Sequence, residues 1–154
     1  MKQQIGGAGL FGAINETGTI QNLTISGKIN GVRHVGGICG YIKGKIVNCI
    51  NECDIYSLGD GDRSYTGGIA GYVDESSEIT GCTNSGKVTG KGAYVGGVLG
   101  YLNTNGNMTN CENSGTINGT TQLGGIVGNS IAGEISNCRN IGNVIGNTYV
   151  GRNS

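Results

Sequence analysis

Six cysteines, one histidine and ten acidic residues are the side chains here that could do metal, redox or acid–base chemistry. Cys49, Cys82, Cys111 and Cys138 recur at spacings of 33, 29 and 27 residues. Zinc sites need paired cysteines or histidines close in sequence, and C-x-x-C pairs are missing, so no metal or other cofactor is expected. In an earlier stretch Leu23 follows Asn22 just as each of these cysteines follows Asn or Gly. A leucine in that slot marks it as apolar, where cysteine acts as a small hydrophobe. A stacked row of thiols is the favoured reading, and disulfides between neighbouring cysteines stay open as the alternative. Cys53 stands where other stretches carry glycine. His34 has no repeated equivalent and no partner cysteine in its loop, so it reads as a solvated corner residue. Nucleophilic catalysis would have to use it.

The loop Ser57-Leu58-Gly59-Asp60-Gly61-Asp62-Arg63-Ser64 is the one clear insertion. Its Asp60 and Asp62 form a D-x-D that could hold calcium, but the run does not continue to the glutamate an EF-hand loop requires. Asp60, Asp62 and Arg63 are therefore a candidate binding loop, with a plain surface loop as the simpler expectation. The acids Glu16, Glu52, Asp54, Asp74, Glu75, Glu78, Glu112 and Glu134 fall mostly in turns. No convincing pair with a basic partner can be assembled from them, and the chain is not expected to be an enzyme. Tyr41, Tyr72 and Tyr101 recur in register, either as a stacking surface for sugars or as cover for the core.

These residues are positioned by an internal repeat. The segments VGGICGYI (35–42), TGGIAGYV (66–73), VGGVLGYL (95–102) and LGGIVGNS (123–130) align, with a weaker copy at 7–14. Each is followed by a second block of the type NCENSGTI (110–117). Gly12, Gly40, Gly71, Gly100 and Gly128 keep the register at spacings of 28, 31, 29 and 28 residues. Such a period indicates a solenoid, propeller or array. The β-like pieces are of strand length and are separated by Gly and Asn, the residues of positive-φ turns. Three short strands and three turns per copy fit one coil of a parallel β-helix, whereas a propeller blade needs more residues.

The expected fold is thus an all-β parallel β-helix of about five coils of roughly 28 residues, forming a single domain over 1–154. The copies run over 5–31, 35–57, 65–90, 95–119 and 123–146, with a partial sixth at 149–154. The rule for parallel crossovers predicts a right-handed coil. Stacked at roughly 4.8 Å, five coils would make a rod about 25 Å long. Leu10, Ile38, Ile69, Val98 and Ile126 would form one buried row, and Ile29, Ile55, Val88, Ile117 and Val144 another. Asn51, Asn84, Asn113 and Asn140, and also Asn48, Asn110 and Asn137, would form hydrogen-bonded ladders.

Ten Lys+Arg balance ten Asp+Glu, and no basic cluster points to a nucleic acid. No apolar run approaches the roughly 20 residues of a membrane-spanning helix. Residues 1–7 pass directly into the repeat with no signal core, so any export signal would lie upstream.

The hydrophobic-G-G-hydrophobic-x-G core followed by N-C-x-N-x-G-x-hydrophobic resembles the GLUG repeat family, best over 35–146. The resemblance implies a secreted or surface-displayed bacterial protein, adhesin-like or akin to the N-terminal regions of immunoglobulin A1 metallopeptidases. It does not imply peptidase chemistry, because the H-E-x-x-H zinc signature is absent. Three readings follow: a structural or adhesive rod, displayed extracellularly or on the cell surface and meeting a host protein or glycan; a filament subunit stacking head-to-tail on itself; and a carbohydrate-binding or carbohydrate-active β-helix.

Overall fold

The computed structural model describes residues 7–151. Those residues contain no helix, and every strand pairing is parallel, joining residues one coil apart. The chain is a β-solenoid of about five turns. The sixth copy begins with the strand Val150–Gly151 on Leu123–Gly124, and its residues 152–154 lie outside the described part, as do residues 5–6 of the first.

Each coil visits four sheets rather than the three faces that the sequence suggests. The first sheet stacks Gly7–Ala8, His34–Gly36, Tyr65–Gly67, Tyr94–Gly96, Leu123–Gly124 and Val150–Gly151. The second stacks Phe11–Ile14, Cys39–Ile42, Ala70–Val73, Leu99–Leu102 and Val127–Ser130. The third runs through Thr19–Gln21, Lys45–Val47, Glu78–Thr80, Asn107–Thr109 and Glu134–Ser136. The fourth begins with the long strands Thr24–Gly31 and Ile50–Ser57 and continues in later coils as pairs of short strands such as Glu112–Asn113 and Ile117–Asn118.

The extra sheet comes from the glycine pair. A segment such as Val95–Leu102 reads as one strand but breaks at Gly97–Val98, between the strands Tyr94–Gly96 and Leu99–Leu102, where the chain turns sharply from the first sheet to the second. The second glycine of each pair lies against an inward-pointing asparagine: a Cβ on Gly68 would overlap Asn84 Cγ and Gly97 O, and one on Gly97 would overlap Asn113 Cγ and Gly125 O. Only glycine lets the backbone come that close.

This contact divides the interior in two. On one side Ile38, Ile42, Ile46 and Cys49, with their equivalents in later coils, form the larger core. On the other, Val35, Cys53, Ile55, Val88, Val95, Ile117 and Leu123 form a smaller one. Ile38, Ile69, Val98 and Ile126 make the expected buried row, while Leu10 in the first coil is 53% exposed. A coil needs a neighbour on both sides to be covered, so burial falls off at the first and last described coils.

Candidate functional site

The corner between the third and fourth sheets sets the N-C motif. Asn22, Asn48, Asn110 and Asn137 adopt φ values of 56°, 52°, 55° and 53°, and Gly81 takes φ 65° in the remaining copy. Asparagine tolerates this left-handed region better than other side-chain-bearing residues. The expectation of a second asparagine ladder is therefore corrected. Asn48, Asn110 and Asn137 turn the chain, and Gly81 interrupts their column. The residue after each corner points inward, which places Cys49, Cys82, Cys111 and Cys138 in one row.

All six cysteines are free. Each thiol of the row donates to the carbonyl two residues earlier: Cys49 to Val47 at 3.4 Å, Cys82 to Thr80 at 3.4 Å, Cys111 to Thr109 at 3.3 Å and Cys138 to Ser136 at 3.2 Å. The sulfurs also accept across coils, from Cys82 N–H to Cys111 Sγ and from Cys111 N–H to Cys138 Sγ, both at 3.4 Å. Cys53 points inward and is 3% exposed, filling the smaller core beside Val88. Burial pushes the Cys39 thiol up to about 12 and also raises Cys49 and Cys53, which disfavours the reactive thiolate.

Two residues beyond each cysteine of that row comes the inner asparagine column. Asn51 Nδ2 donates to Asn84 Oδ1, Asn84 Nδ2 to Asn113 Oδ1 and Asn113 Nδ2 to Asn140 Oδ1, each at 2.7 Å. The second N–H of each amide reaches the carbonyl two residues on, at Cys53, Gly86, Gly115 and Gly142. Asn51, Asn84 and Asn113 are completely buried. Their amides all point the same way along the axis, and hydrogen bonds aligned in series polarise one another.

The insertion loop places Asp60, Asp62 and Arg63 at the surface, exposed. Its base is tied down by the Leu58 N–H to Gly31 O at 2.9 Å and by buried Ser64, whose Oγ donates to Val32 O at 3.1 Å. Among the described residues, no three His, Cys, Asp or Glu side chains gather as metal ligands. The carboxylates Asp60 and Asp62 therefore have no third acid beside them.

The structure gathers instead a cluster of six rings on the outer face of the first two sheets. One column is His34, Tyr65 and Tyr94; the other is Tyr41, Tyr72 and Tyr101. Tyr41–Tyr72 and Tyr72–Tyr101 are stacked at 5.1 and 5.3 Å with interplanar angles of 4° and 5°. His34 stacks on Tyr65 at 5.1 Å and 14°, and Tyr65 bridges the columns to Tyr101 at 4.8 Å. His34 is thus half-buried in an aromatic stack and is not a solvated corner; its Nδ1 is buried with no hydrogen-bond partner. Burial, helped by the Arg33 charge, lowers its pKa. Parallel rings at these distances face one another, so the middle of the stack offers ring edges and hydroxyls, not flat faces, to a sugar.

A polar corner adjoins the tyrosine column. The Tyr41 hydroxyl donates to Asp74 Oδ2, while Asn103 Nδ2 donates to Tyr72 OH at 3.0 Å and to Asp74 Oδ1 at 3.1 Å. Lys43 Nζ lies 3.7 Å from Asp74 and 4.0 Å from Glu16. Burial pushes the Asp74 carboxyl up, but hydrogen bonds from Tyr41, the Glu75 N–H and Asn103, together with the Lys43 charge, hold it below its ordinary value. The column His34–Tyr65–Tyr94 is missed by sequence reasoning, although it shares the 31- and 29-residue steps of the tyrosine column. The change from Tyr to His in its first member hides the repeat.

In-register parallel coils, a buried amide ladder and free interior thiols define a structural repeat solenoid. The family of the GLUG motif matches residues 62–89, 91–118 and 119–145, together more than half of the chain. The chain belongs to the GLUG-motif family. No curated protein and no solved structure matches it.

Proposed function

We propose that this chain is a non-catalytic rod segment of a secreted or surface-displayed bacterial protein, spacing and presenting outward side chains for adhesion. The observation that carries this reading is the asparagine ladder running unbroken through four coils. It ties successive coils to one register and makes a stiff scaffold with a fixed axial step. The free cysteines serve as packing. Glu16, Asp74 and Glu75 lie in turns and Asp60 and Asp62 in the insertion loop, whereas the other five acids, Glu52, Asp54, Glu78, Glu112 and Glu134, stand on strands. Membership of a repeat family supports the structural role, and the exposed Asp60, Asp62 and Arg63 are the candidate contacts for a host protein or glycan.

Head-to-tail self-assembly is the second reading, favoured by Ile135 and Val150 of the last described coil, which are exposed although their equivalents one coil earlier, Met108 and Leu123, are buried. The ladder opposes it. Ile25 occupies the asparagine register in the first coil, paired with Asn51. A second copy stacked head-to-tail would set Ile25 over Asn140 and leave an amide N–H unmet, at a cost of about 1–3 kcal/mol. Light scattering across a concentration series tests the choice. A rod segment keeps monomer mass and a rod-like scattering profile, whereas mass that grows with concentration supports the filament. Cleavage of any glycan would overturn the non-catalytic reading.

A further inference from the structure

The tyrosine stack has an end with an open face. Tyr41 is covered by Tyr72 on one side. On the other side its partner one coil earlier is Ala13, which is exposed and far too small to cover a ring. At the opposite end Asn129 stands in register with Tyr101 and supplies a longer side chain. At the hydroxyl end of Tyr41 lies a cleft of about 540 Å³ lined by Glu16, Lys43, Asp74, Glu75 and Ser76. Its volume falls within the usual range of small-molecule sites, about 300–1,000 Å³. Tyr41 and the cleft are joined by the hydrogen bond from the Tyr41 hydroxyl to Asp74.

A ligand for this place must have an apolar face for the ring and several hydroxyls around its rim. Carboxylates accept from hydroxyls, an ammonium donates to them and a serine does both. A pyranose has that division, with C–H groups on one face and hydroxyls at its edge. The cleft places three carboxylates, Glu16, Asp74 and Glu75, against one ammonium, Lys43. The surplus negative charge repels uronic and sialic acids. We propose that this end cleft binds a neutral hexopyranose residue of a glycan, its ring stacked on the open face of Tyr41 and its hydroxyls held by the carboxylates and Lys43. The site goes beyond the rod reading, which would survive its failure.

The experiment follows backbone amide resonances of the full chain during separate titrations with the methyl glycosides of glucose, galactose and mannose, and with glucuronate. The expected result is saturable shifts at residues 13–16, 41–43 and 74–76 with at least one neutral glycoside and none with glucuronate. Ala13→Tyr extends the stack over Tyr41 without deleting any contact, so the fold is kept; it should weaken binding by roughly tenfold or more. Tyr101→Ala, at the far end of the column, should leave binding unchanged. The proposal is overturned if no neutral glycoside gives saturable shifts, if the shifts map elsewhere, if glucuronate binds as well as the neutral probes, if Ala13→Tyr binds like the parent, or if Tyr101→Ala weakens binding as much as Ala13→Tyr.

Discussion

Replacing Asn84 by alanine tests how much of the fold rests on the amide ladder. Asn84 is completely buried, donates to Asn113 Oδ1 at 2.7 Å and to Gly86 O at 2.9 Å, and accepts from Asn51 Nδ2 at 2.7 Å. Alanine removes all three bonds and strands a donor on Asn51 and acceptors on Asn113 and Gly86. A buried group left unsatisfied costs about 1–3 kcal/mol. Allowing for partial relaxation, the loss should be about 3–6 kcal/mol, a large share of the roughly 5–15 kcal/mol that holds a domain together. Asn140→Ala, at the half-buried end of the ladder, also loses three bonds, one from Asn113 and two with Gly142, but water reaches the groups left behind, so it should cost about half as much. Urea unfolding followed by circular dichroism measures both. A cost below about 1 kcal/mol for Asn84→Ala, the scale of an ordinary single hydrogen bond, would refute the reasoning.

Gly68→Ala puts a methyl group into Asn84 and the Gly97 carbonyl and should destabilise by about 3 kcal/mol or more, whereas Gly61→Ala in the insertion loop meets nothing and should stay within about 1 kcal/mol; thermal melts compare them. His34 packs against Tyr41, Tyr65 and Tyr72 beside Arg33, and its lowered pKa means that the unfolded chain takes up a proton first. Stability should therefore be complete above the ordinary histidine value and fall as pH drops below about 6.5; His34→Tyr should flatten that dependence in urea titrations at a series of pH values. A thiol reagent should modify half-buried Cys138 in the native protein and reach the other five cysteines only on unfolding, which mass spectrometry of the labelled peptides can score.

Much of this architecture can be read from residues alone. The glycine register, the inward aliphatic rows and the recurrence of cysteine at one slot follow from a single period, because a parallel stack puts equivalent residues over one another. The number of sheets was not legible. It depends on Gly97 meeting Asn113, residues distant in the coil that touch only once the tube has closed. The two asparagine rows look alike in sequence but do different work. Asn48, Asn110 and Asn137 share their column with Gly81, a sign of positive φ, while Asn51, Asn84, Asn113 and Asn140 share theirs with Ile25, a sign of burial. His34 looks unpartnered in sequence because the change from Tyr to His conceals its column with Tyr65 and Tyr94. The open end of the tyrosine stack depends on Ala13, whose small size carries no signal until the ring beside it is placed.

Nuclear Overhauser contacts between equivalent residues of neighbouring coils test the in-register parallel stack most directly. Cross-peaks should join the rings of Tyr41 and Tyr72 and those of Tyr72 and Tyr101, and should join the side-chain amides of Asn51, Asn84, Asn113 and Asn140 in that order. Strong Hα–Hα contacts between adjacent strands, the mark of antiparallel hairpins, would contradict it.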